Sequence, residues 1–233
     1  MYNPQPVDWT GFISDYLDTQ FYLEKIVPEQ DGKVEGVISF CSPQPLEQAI
    51  FDAETGKQKV IRLNYGEILL EKTLETESPQ RLKFTALHEA GHWFIHPEYY
   101  ALQGPAKGQL CFLPPVKPCF KACRDIGIGR GRLVTTDDFI EHQASVFASA
   151  ICIPKKPLLK IFPDYFAKYL KAIRPLGNVE FGQLADNEKD FIKRAVTNDL
   201  AELFAVSFSV AKFRLEKLGL WTEKEGTLLD IIK

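Results

Sequence analysis

Residues 78–97 read SPQRLKFTALHEAGHWFIHP. Ser78 can cap open backbone amides, and Pro79 suits a first helical turn, where its missing N–H is no loss. Leu82, Ala86, Ala90 and Phe94 then recur every fourth residue, and Pro97 stops the pattern near His96. The stretch therefore predicts one helix with HEAGH, residues 88–92, in its middle. The chain has only four histidines, and three of them, His88, His92 and His96, fall here.

Residues four apart lie above one another on a helix, so His88 and His92 can turn their imidazoles toward a common point. Zinc accepts such nitrogens at about 2.0–2.1 Å in a tetrahedral arrangement. Glu89 follows His88 by about 100° around the axis, beside the metal face without joining it, where a carboxylate can hold a water. A bound Zn2+ lowers the pKa of its water to roughly 7, and a neighbouring carboxylate can move the proton to a leaving amine. Gly91 costs a helix interior about 1 kcal/mol relative to Ala, so a close approach by another element is expected there. His96 lies about 12 Å along the axis from His88, too far for all three histidines to converge. It is expected at the helix end or behind the ligands.

A third ligand is expected from a further helix. Thr135 with Asp138 forms a capping-box pattern that opens a helix through FIEHQASVFASAI as far as Pro154. Glu141, Ala144, Ser145 and Ala148 share one face, and the small residues would let this helix press on Gly91 and bring Glu141 to the metal. Phe139, Phe147 and Ile151 are expected on its core side. His142 sits about 100° around from Glu141. His142, Tyr99 and Tyr100 are equal candidates for the hydrogen-bond donor to a tetrahedral oxyanion.

The blocks FTALHEAGHWFIH, 84–96, and EHQASVFASAICIP, 141–154, resemble the ImmA/IrrE family of zinc-dependent metallopeptidases. Block 84–96 is similar to that family's metal helix, with His88 and His92 as ligands and Glu89 as general base. Block 141–154 is similar to its pattern of Glu, two residues, Ala, two residues, Phe-Ala, which carries Glu141 over as third ligand. Ala90 stands where Leu is usual, and Cys152 and Ile153 replace Leu and Met. The cysteine-containing stretch 111–123 lies outside the pattern. The resemblance implies an α+β fold with a zincin-like metallopeptidase core, mostly helical with a small β-sheet. It also implies a link to mobile elements, phage or stress regulons, where members cleave or inactivate a partner repressor.

The remaining sequence sets the frame. A chain of 233 residues, 45% hydrophobic and 25% charged, can bury a sizeable core. A net charge of −3 gives no general attraction to polyanions, so nucleic acid is not the expected partner. The N-terminus shows no basic stretch followed by an apolar one, and no run of about eighteen apolar residues occurs. A cytoplasmic protein without membrane attachment is the expectation. One metallopeptidase domain is expected: an N-terminal helix and small sheet (about 8–75), catalytic helices (about 79–154) and a helical C-terminal part (about 163–220). Trp9, Phe12, Ile13, Tyr16, Leu17 and Phe21 predict the N-terminal helix after Asp8. Residues 33–40 and 58–65 predict strands, with room for one more between them.

Residues 97–134 are rich in Pro and Gly, and no regular element is expected there. Five cysteines, an odd number, favour reduced thiols. Cys111, Cys119 and Cys123 read as free thiols in a substrate-facing loop or, with Cys41, Cys152 or an acidic group, as a second metal site. Lys121, Arg124, Arg130 and Arg132 make the same loop basic. Pro163 is expected to open a further helix ending before Pro175. The tail NEKDFIKRAVTNDLAELFAVSFSVAKFRLEKLGLW predicts a helical pair or triple that turns near 206–209 and is closed by Gly219. It also has a helix-turn-helix pattern, with Lys212, Arg214 and Lys217 on its latter helix. Three functions follow as expectations: a zinc endopeptidase acting on one cytoplasmic protein such as a helix-turn-helix repressor, a repressor antagonist that does not cut, and a DNA-binding regulator.

Overall fold

β-Branched and aromatic runs between residues 21 and 71 supply five of the six strands of one sheet in the computed structural model, which describes residues 4–28, 33–102, 116–120, 133–174 and 181–221. The strands are β1 (Phe21–Ile26), β2 (Val34–Ser39), β3 (Leu46–Phe51), β4 (Gln58–Leu63), β5 (Ile68–Glu71) and β6 (Val116–Phe120), in the order β4-β3-β1-β5-β2-β6. β1 and β5 run parallel, with Phe21 opposite Ile68, and every other neighbouring pair is antiparallel. β2 and β5 are buried along their whole length, as continuous apolar strands in the interior of a sheet should be. β4 ends the sheet and alternates little, with most of its residues exposed. The β3–β4 turn is made by Asp52, whose carboxylate accepts from the Thr55 amide at 2.9 Å, and by Gly56 at φ +66°.

Two short helices, α1 (Trp9–Gly11) and α2 (Leu74–Glu77), precede the long helix α3 (Pro79–Ile95), which leads into α4 (Pro97–Leu102). α3 lies against β2 and β5 and carries HEAGH in its interior, between the prolines that mark its two ends; Ser78 stands at the N-cap, but its side chain makes no capping hydrogen bond. Helix α5 (Thr136–Cys152) begins with the expected capping box. The Asp138 amide donates to Thr135 Oγ1 at 3.1 Å, and the Thr135 amide donates to the Asp138 carboxylate at 2.8 Å. One apolar cluster joins Ile38, Ile68 and Leu70 of the sheet to Leu82, Ala86 and Ala90 of α3.

Several expectations need correction. The N-terminal helix does start after Asp8, which caps it, but it is shorter than its apolar pattern: α1 passes into a π-helical turn, Phe12–Tyr16, after which Asp18 takes a left-handed φ of +50° and Phe21 starts β1. Trp9, Phe12, Leu17 and Phe21 nevertheless pack on one cluster, with the Trp9 and Phe21 rings 5.1 Å apart. Their helical spacing thus reflects a shared core reached by two element types. β5 lies hidden between turn residues, and β6 and α4 occupy ground expected to be irregular. Phe94, at 58% exposure, and Phe139, at 49%, lie outside the core. The inner face of α5 is instead Ile140, Ala144, Ala148 and Cys152.

The chain divides into two units, one comprising Asp8–Ala148 and the other Met1–Val7 with Ser149–Lys233. The latter holds α6 (Lys155–Ile173), α7 (Asp186–Leu203) and α8 (Phe208–Lys217). α6 starts at Lys155, before the expected opening at Pro163, which lies inside it. Pro154 is the N-cap, and Pro157 fits the first turn, so the helix can begin early. Leu158, Phe162, Ile192, Val196, Leu200 and Phe213 are buried in this unit. No helix among the described residues is long and apolar enough to cross a membrane.

Candidate metal centre

α3 holds His88 and His92 one turn apart, and α5 approaches them where α3 is thinnest. A Cβ added at Gly91 would lie 3.2 Å from the Ala144 backbone and 3.1 Å from the Phe147 ring. Glycine on one helix opposite alanine on the other therefore lets the two axes come close enough for Glu141 to reach both histidines. Glu141 Oε2 lies 3.1 Å from His88 Nε2, and Glu141 Oε1 lies 3.4 Å from His92 Nε2. The two Nε2 atoms are 3.1 Å apart. One donor atom from each of the three residues falls within 4.8 Å of the others.

Both histidines are buried, and the Glu141 side chain is only 14% exposed. Each inward Nε2 donates to the Glu141 carboxylate when it carries the proton and offers a lone pair to a cation when it does not. Two neutral nitrogens and one carboxylate oxygen form a donor set for a divalent transition metal, so the group could hold a metal ion. Burial pushes the Glu141 carboxyl up, but its hydrogen bonds with His88 and His92 outweigh this and hold it well below the usual carboxylate range. It is therefore a carboxylate, the form a metal requires.

Each imidazole turns Nε2 inward and Nδ1 outward. His88 Nδ1 lies 3.4 Å from Ser145 Oγ, and His92 Nδ1 lies 3.2 Å from His96 Nδ1. His96 is buried and its Nε2 lies 2.9 Å from Gln143 Oε1. His96 thus stands behind His92 and outside the three-residue group. Glu89 is fully buried on α3, and its carboxylate lies over the backbone of β2: a Cβ at Gly36 would come within 2.9 Å of Glu89 Oε1.

Of the three oxyanion-donor candidates, Tyr100 packs its ring against one of these histidines. Its ring meets that of His92 edge-on at 6.3 Å and stacks on Phe40 at 4.3 Å. Among the described residues its buried hydroxyl has no hydrogen-bond partner. Burial, then the charges of Glu141 and Glu89, push that hydroxyl far above the usual phenol range, so it keeps its proton. Tyr99 instead points its hydroxyl at Asp137, 3.4 Å away, and His142 is half-buried on α5.

Sequence reasoning did not single out Gly36 or Gln143, and it left Tyr100 level with Tyr99 and His142. A glycine inside a strand pattern was the available signal for Gly36, since it marks close approach by another group. Cys111 and Cys123 lie outside the described residues, as do Lys121, Arg124, Arg130 and Arg132; only the backbone of Cys119 is described, in β6 opposite Gly36. Cys152 is buried and Cys41 half-buried. In the tail, Arg214 is 9% exposed and donates from Nε to the Ile153 carbonyl at 3.0 Å, so it is not the exposed cation that DNA contact needs. Lys212 pairs with Glu216, and Lys217 lies over the Phe213 ring. No family model matches the chain, and neither a curated protein nor a solved structure matches it.

Proposed function

We propose that this protein is a zinc-dependent endopeptidase of the ImmA/IrrE type, with a zincin-like core formed by α3 and the sheet, acting on a specific cytoplasmic protein. The observation that carries the reading is the buried convergence of His88 and His92 with Glu141, with Glu89 buried on the same helix as the two histidines. Two carboxylates in one site with different surroundings suit different tasks. Glu141 is engaged by both imidazoles, whereas Glu89, next to His88 in sequence, takes the proton-transfer role.

Zn2+ held by His88, His92 and Glu141 would supply Lewis acidity, polarising a scissile carbonyl and acidifying a water. Glu89 accepts the proton of the attacking water and returns it to the leaving nitrogen. Tyr100 Oη donates a hydrogen bond to the carbonyl oxygen as negative charge develops there. The apolar neighbours Phe40 and Trp93 keep the surroundings poor in water, which strengthens both effects. The resemblance in 84–96 and 141–154 supports a protein substrate, a helix-turn-helix repressor, over a nucleic acid.

The test is elemental analysis of protein purified without chelator, wild type beside Glu141→Ala, followed by incubation with a helix-turn-helix repressor encoded near this chain. About one zinc per wild-type chain, clearly less in Glu141→Ala, and cleavage lost in Glu89→Gln with zinc retained are expected. Cleavage that persists in Glu89→Gln would overturn the mechanism. Derepression that survives in that variant without any cleavage would point to antagonism by binding.

A further inference from the structure

The metal reading leaves one arrangement unused: a series of three side chains that begins outside the ligand group and ends on one ligand. We propose that Gln143 and His96 act in series as positioning residues that fix the tautomer of His92 and so present its Nε2 lone pair to the metal. The proposal rests on the metal reading and adds to it the residues that prepare one ligand.

The series can be followed from either end. A neutral imidazole carries one N–H and one lone pair, and only the lone-pair nitrogen can bind a cation. His92 Nε2 faces Glu141 Oε1 at 3.4 Å and His88 Nε2 at 3.1 Å, so its metal-ready form has the proton on Nδ1. His92 Nδ1 lies 3.2 Å from His96 Nδ1. That nitrogen of His96 must therefore accept, and the His96 proton must be on Nε2. His96 Nε2 lies 2.9 Å from Gln143 Oε1, a carbonyl oxygen that can only accept. Starting from Gln143 gives the same order: His96 Nε2–H to Gln143, His92 Nδ1–H to His96, and His92 Nε2 left open.

The opposite order fails at the metal. If the Gln143 amide turned its NH2 toward His96, His96 would donate from Nδ1, and His92 would carry its proton on Nε2 in the middle of the ligand group. The orientation of one amide thus separates a metal-ready His92 from a blocked one. The sequence explains how this fits together, because His96 follows His92 by four residues at the end of α3 and reaches it by helical geometry alone. Gln143 and Glu141 both come from α5, so the helix that brings the third ligand also sets the protonation of His92. His88 has a simpler arrangement, with Ser145 of α5 beside its Nδ1 at 3.4 Å.

Partners behind metal-bound histidines typically change metal affinity by about 10–100-fold when removed. Zinc affinity should be measured by competition with a chelator in wild type, His96→Phe, His96→Gln and Gln143→Leu. The protonated nitrogen of each imidazole should be read from long-range 1H–15N spectra of the wild type and of Gln143→Leu, both stripped of metal so that the ion itself does not dictate the tautomer. The expected results are about a tenfold loss or more in His96→Phe and recovery of most of it in His96→Gln, which restores an acceptor. His96 should carry its proton on Nε2 in wild type and show a mixture of tautomers in Gln143→Leu. A His96 proton on Nδ1 in wild type, or an unchanged tautomer in Gln143→Leu, would overturn the relay while zinc binding itself stood. The spectra need no variant at position 96, so misfolding of His96→Phe leaves the proposal testable. Absence of zinc binding by the wild type would overturn the metal reading and the relay with it.

Discussion

Glu89 and Glu141 are the two carboxylates of the proposed centre, and their surroundings separate them. Glu141 touches both Nε2 atoms, whereas Glu89 lies fully buried against the backbone at Gly36. Gly36→Ala would press a methyl group onto Glu89 and Thr85. Tyr100→Phe removes one buried hydroxyl and leaves the ring stacked on Phe40. Loss of one oxyanion donor typically lowers kcat by about 10²–10³, and a drop of that order with unchanged zinc content is expected. Steady-state kinetics on the cleaved substrate check it, and equal kcat in the two proteins would remove Tyr100 from the mechanism. The two histidines and Glu89 are legible in the sequence because their geometry is local, one turn of one helix. Gly36, Gln143 and Tyr100 are not, because what each does depends on a partner brought by the fold from a distant part of the chain.

At the scale of elements, the contact between α3 and α5 decides whether the three-residue group exists. Gly91→Val places branched methyl groups where a single Cβ already meets Ala144 and Phe147 at 3.1–3.2 Å. Such overpacking costs about 1–3 kcal/mol, so a lower denaturation midpoint and weaker zinc binding are expected together. A variant equal to wild type in both would mean that the helices tolerate a wider spacing. The C-terminal unit makes a parallel case. Arg214 is buried in α8 and satisfies the Ile153 carbonyl just beyond the end of α5. Arg214→Ala removes a charge-assisted hydrogen bond and its packing, with an expected loss of about 2 kcal/mol in urea unfolding. No loss would show that water replaces the guanidinium there. The capping box of α5 and the prolines bounding α3 are readable because they are short local patterns. The start of β1 is not, because its apolar spacing continues that of the preceding helical turns, and only sheet pairing with β5 distinguishes them.

For the whole molecule, a ligand that binds the folded chain and not the unfolded one adds stability by mass action. All three candidate ligands lie in the unit Asp8–Ala148. Stripping zinc with a chelator should therefore lower the midpoint of thermal unfolding. An ion at about 100 times its Kd contributes about 2.7 kcal/mol, a shift of roughly 5–10 °C for a chain of this size. Differential scanning fluorimetry with and without chelator measures it, and identical midpoints would argue that no metal is bound. The mixed character of the fold is legible from its two strand patterns and its amphipathic helices. The strand order β4-β3-β1-β5-β2-β6 is not, because the parallel β1–β5 pair joins distant segments, with Phe21 opposite Ile68. A different consequence follows from the placing of the ligands. His88 and Glu141 are 53 positions apart and sit on different helices. An ion held as proposed would tie those helices together, so parting them would release it. Were opening the slow step, removal by excess chelator would level off at the rate of helix opening, and the centre would serve as a clock for that motion.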